Sequence, residues 1–98
     1  MVSIIKSPIQ SVMLQFNMTT GSAVARYAPA TTSNLGTQEK AYSTITELAG
    51  KEILGAVGVE AVKDSGVNRA YLETGKTTVR IWGLPNQTYS CRVVFFYR

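Results

Sequence analysis

The sequence predicts an α+β fold: an N-terminal β-hairpin, a central helical segment and a C-terminal three-stranded antiparallel meander. Three patterns lead there. Val12, Leu14, Phe16 and Met18 alternate with Met13, Gln15 and Asn17, which is the mark of a strand with one apolar face. Ala41, Ile45, Leu48 and Ala49 recur at helical spacing. Tyr89, Cys91, Val93, Phe95 and Tyr97 fall at a period of two after the break at Gly83-Leu84-Pro85-Asn86.

Taken in order, Pro8 suits the start of the first strand, because proline cannot donate to a ladder. Thr19-Thr20-Gly21-Ser22 reads as a turn, and residues 23–27 return as the second strand of the hairpin. Residues 29–36, rich in Thr, Ser, Asn and Gly, form a connecting loop. Thr37 is placed to cap a helix, with Glu39 in its first turn complementing the positive end. Gly50 and Gly55, each costing about 1 kcal/mol in a helix interior, end or bend it. Residues 55–62 fit a strand through Val57 and Val59, or a continued helix through Ile53, Val57 and Ala61. Asp64-Ser65-Gly66 closes that segment. Residues 68–75 and 77–82 flank Gly75-Lys76 as a second hairpin, which the last strand extends into the meander.

Composition narrows the function. At 98 residues the chain is read as one domain. Apolar residues make up 45% and charged residues 16%, against about 25% charged in a typical domain, so a further buried surface such as a subunit contact is expected. No apolar run reaches the ~18 residues of a membrane span, and the N-terminus lacks the apolar stretch of a signal peptide. A soluble protein follows, cytoplasmic or virion-associated, with no membrane partner.

The chain has no histidine, which removes the commonest general base, the usual nitrogen ligand for metals and every histidine-containing triad. Its single cysteine, Cys91, rules out an internal disulfide or a thiolate cluster, and it lies on the apolar parity of the last strand. Gly55 and Gly58 lack the third glycine or the Lys-Ser/Thr of phosphate-binding loops. No catalytic, cofactor-binding or metal-ligating residue is assigned, and the chain is read as a non-enzyme without a cofactor.

Arg69, Tyr71, Lys76, Arg80, Trp82, Arg92, Phe96 and Arg98 gather in the C-terminal third and are the candidate interaction residues. The favoured reading is an assembly or accessory protein forming a homo-oligomer or binding a protein partner. In that case the arginines rim a contact around Trp82 and Phe96. Such a chain suits a virion or bacteriophage structural component. A second reading is nucleic-acid binding, in which bases stack on the rings while arginines follow phosphates. A third is an inhibitor or adaptor that docks by an exposed strand, for example the last strand added to a partner's sheet.

Residues 79–93 resemble the corner between two strands of fibronectin type III modules, where a Gly-Leu-Pro-type turn precedes a tyrosine and an alternating strand. The resemblance covers about fifteen residues and is a shared turn solution. It implies that the Tyr89 hydroxyl bonds back to the turn backbone.

Overall fold

A computed structural model describes residues 2–3, 8–23, 35–63 and 69–98. Six strands, β1 (Gln10–Thr19), β2 (Gly36–Ala41), β3 (Ile53–Val62), β4 (Arg69–Thr74), β5 (Thr78–Gly83) and β6 (Thr88–Tyr97), form one antiparallel sheet in the order β1-β6-β3-β4-β5-β2. The sheet curls into a half-barrel whose two edges meet at one end. There the Gly21 amide donates to the Thr37 carbonyl at 3.1 Å, and the Thr19 amide donates to Gln38 Oε1 at 2.9 Å.

The alternating residues of β6 explain why it lies inside the sheet. Its whole length pairs with β1, from Gln10↔Tyr97 to Thr19↔Thr88, and its other side pairs with β3. Tyr89, Cys91, Val93 and Phe95 all face the concave side and are fully buried, beside Met18 of β1 and Val79 and Ile81 of β5. Burying each large side chain stabilises the fold by about 1.5 to 3 kcal/mol. Val12, Leu14 and Phe16 pack on the same core, so the period-two reading of both strands gives the correct inward face.

The central helical segment is not formed, and the fold is nearly all β rather than α+β. Residues 37–40 continue β2 instead, because six residues pair with β5 and set Glu39 opposite Arg80. Local capping preference yields to this ladder. The apolar spacing that follows is three, not 3.6: Tyr42, Ile45 and Leu48 are all buried, carried by two single 3₁₀ turns, Tyr42–Thr44 and Thr46–Leu48. They close one end of the half-barrel, and the Tyr42 ring meets Phe95 edge-on at 5.0 Å. Gly50, at φ 74, provides the left-handed residue that ends the run.

Two further expectations are corrected. The C-terminal strands do not form a three-stranded meander: β4 and β5 make the expected hairpin, but β6 passes to the far side of β3. The N-terminal strand takes β6 as its ladder partner, and the hairpin strand expected at residues 23–27 lies outside the described residues except for Ala23. In β3, register shifts between Ile53 and Gly55 and between Gly58 and Glu60 break the ladder. Gly58 has a packing reason, since a methyl group there would lie 2.7 Å from Leu72 Cβ.

Candidate interaction surface

The convex face of the sheet carries Tyr71, Arg80, Trp82, Arg92 and Phe96, but the topology divides them. Tyr71, Arg80 and Trp82 lie on β4 and β5, whereas Arg92 and Phe96 lie on β6. β3 and β4 intervene between β5 and β6, a separation of about 14 Å at the usual strand spacing. Lys76 sits in the β4–β5 turn, facing Lys51 across an open recess of about 400 Å³ that Tyr42 and Ile53 also line. Arg69 pairs with Val62 at the start of β4.

Each described arginine side chain meets a carboxylate. Arg80 Nη2 lies 2.6 Å from Glu39 Oε2, its Nη1 donates to Thr37 Oγ1 at 3.1 Å, and its guanidinium stands 5.7 Å from the centre of the Trp82 ring. Glu73 is its cross-strand neighbour on the other side and accepts the Trp82 indole N–H. Two carboxylates therefore flank one guanidinium. Arg92 pairs with Glu60 at 3.4 Å and donates to Gln15 Oε1 at 3.3 Å. Arg98 grips Glu52 with two side-chain contacts, 3.2 and 3.3 Å, while their backbones exchange hydrogen bonds. Exposed pairs like these add at most about 1 kcal/mol to stability. Their larger effect is electrostatic, because a phosphate would have to displace a carboxylate already in place.

An apolar surface not singled out in the sequence lies across β1, β6 and β3. The register sets Met13, Val94 and Val57 side by side in one convex row. Met13 and Val57 are 56% and 53% exposed, and Val59, Leu54 and Phe96 extend the surface. The next row is Gln15, Arg92 and Glu60, so a single ion pair crosses the patch. This surface was legible only in part: Val57 and Val59 suit a strand, but which strand neighbours β6 depends on long-range pairing.

The corner after β5 matches the geometry that the short fibronectin-like stretch implies. The Leu84 amide donates to the Tyr89 hydroxyl at 2.8 Å. The likeness stops there, since the strands form one curled sheet and not a two-sheet sandwich. No protein-family model, curated protein or solved structure matches the chain. Among the described residues, no three acidic or cysteine side chains converge as a metal site would require, and no helix is long and apolar enough to cross a membrane.

Proposed function

We propose that this chain is a small assembly or accessory subunit that works by association with further copies of itself. The observation that carries this reading is the exposed row Met13, Val94 and Val57 with its apolar neighbours, a contiguous surface of the kind that marks a protein contact. The patch suits a like partner, because the charges that cross it, Arg92 and Glu60, are already paired with each other and present no net charge to repel a second copy.

Nucleic-acid binding is the weaker reading. The arginines that would meet phosphates are matched by Glu39, Glu60 and Glu52, and the Trp82 indole is held by Glu73. Sedimentation equilibrium of the wild type and of Val57→Lys separates the two. Self-association that persists at high salt and weakens in Val57→Lys supports the assembly reading. A monomer that binds oligonucleotide in a salt-sensitive way overturns it.

A further inference from the structure

The edge strands of this sheet are unequal. β2 is six residues long and carries Glu39 and Lys40, charges that discourage a second strand from pairing. β1 is ten residues long, QSVMLQFNMT, with no charge, no proline and no glycine. Among the described residues, none forms a ladder with its other edge.

Two hydrogen bonds fix which of its backbone groups point outward. The Thr20 amide donates to Gln87 on the β6 side, and the Thr19 amide donates across to Gln38 on the other side. The register with β6 is unbroken from Gln10 to Thr19, so the phase holds along the strand. The N–H and C=O groups of Ser11, Met13, Gln15 and Asn17 therefore point to the free edge, and those of Val12, Leu14 and Phe16 serve the β6 ladder.

We propose that β1 is the contact strand between two copies of this chain, pairing antiparallel with its own equivalent about a twofold axis at Leu14. The inference rests on the assembly reading and locates its first contact. In this register Ser11 meets Asn17, Met13 meets Gln15, and Val12 meets Phe16, so apolar faces apolar on the concave side and all four outward residues find partners. A strand paired with itself tolerates no like charges in opposition, and β1 carries none to oppose. A cleft of about 240 Å³ runs beside Leu14 and Phe16, walled by Lys40, Ile45, Thr46 and Glu47, and in this register it lies on the side that would receive the partner's Leu14 and the partner's Val12. In this register each copy's Met13–Val94–Val57 row runs on into the other copy's Gln15–Arg92–Glu60 row, so the two apolar rows lie diagonally across the axis.

The test uses the full chain with Gln15→Pro, which removes one outward amide and leaves the β6 ladder intact. Gln15→Ala is the control, losing the side-chain contacts to Ser90 and Arg92 but keeping the amide. Sedimentation equilibrium should show a wild-type dimer, an Ala variant of similar affinity and a Pro variant weakened by about 100-fold or more. If the Pro variant does not fold, hydrogen exchange on the wild type decides: the amides of Met13, Gln15 and Asn17 should gain protection as concentration crosses the dissociation constant. A Pro variant that dimerises as well as wild type overturns the edge contact and leaves the assembly reading standing, with the convex face as its site. Protection of those amides in the monomer also overturns it, since the edge would then be covered within the chain. A wild type that stays monomeric defeats both.

Discussion

The Leu84 amide donates to the Tyr89 hydroxyl at 2.8 Å, tying the turn after β5 to the strand that follows it. Gly83 makes room for this, because a methyl group there would lie 2.8 Å from both Cζ and Oη of Tyr89 and from Ala70 Cβ. Asn86, at φ 56, supplies a left-handed residue that asparagine tolerates better than most. Tyr89→Phe should therefore cost about 1 to 2 kcal/mol by leaving a part-buried amide without its acceptor. Gly83→Ala should cost about 1 to 3 kcal/mol through overpacking. Urea midpoints read both, and an unchanged midpoint in Gly83→Ala would mean that the Tyr89 ring does not lie against the strand.

Neighbouring strands test the two faces of the sheet. Val93 is fully buried opposite Leu14 and Gly58, so Val93→Asp places an unpaired carboxylate in the core and should abolish folding. Val57 is 53% exposed on the convex face, so Val57→Lys should keep the thermal midpoint within a few degrees while weakening self-association. A folded Val93→Asp protein with the wild-type midpoint would reverse the assignment of faces in β6.

Burial pushes the Cys91 thiol up from 9.0 to about 11. The native state thus holds this proton more tightly than the unfolded chain, so its contribution to stability is complete below pH 9 and is lost as pH rises through 11. The thermal midpoint of the wild type should fall more steeply over that window than that of Cys91→Val, which has no thiol to titrate. At neutral pH the thiol should resist labelling until denaturant is added. Rapid stoichiometric labelling of native protein would place Cys91 outside the core.

Arg80 is the sharpest probe of the nucleic-acid reading. With Glu39 at 2.6 Å and Glu73 as its cross-strand neighbour, Arg80→Gln should leave oligonucleotide binding unchanged in fluorescence anisotropy and shift stability by less than about 1 kcal/mol. Each phosphate neutralised on a single strand adds about −0.7 to the log-log salt slope. A steep slope that Arg80→Gln flattens would restore Arg80 as a phosphate contact.

What the sequence made legible was local. Alternation in β1 and β6 gives the inward faces of both strands, and Gly75-Lys76 marks the β4–β5 turn, because period and turn chemistry act within a few residues. The helix reading failed where local preference and long-range pairing disagree. Thr37 and Glu39 resemble the start of a helix, but their ladder to Trp82 and Arg80 joins residues more than forty positions apart. The 3₁₀ turns were misread for a related reason, since Ile45 and Leu48 fit periods of three and 3.6 alike and Tyr42 decides between them. Gathering the candidate arginines into one site required β5 and β6 to be neighbours, and only the strand order could show that they are not.

Sedimentation equilibrium of the wild-type chain across a wide salt range, read at 260 and 280 nm, tests self-assembly most directly. We expect an oligomer free of nucleic acid that persists at high salt, because apolar burial around Met13, Val94 and Val57 is little screened by ions. A strictly monomeric protein at about 100 µM, where even contacts of moderate affinity would be populated, would contradict it.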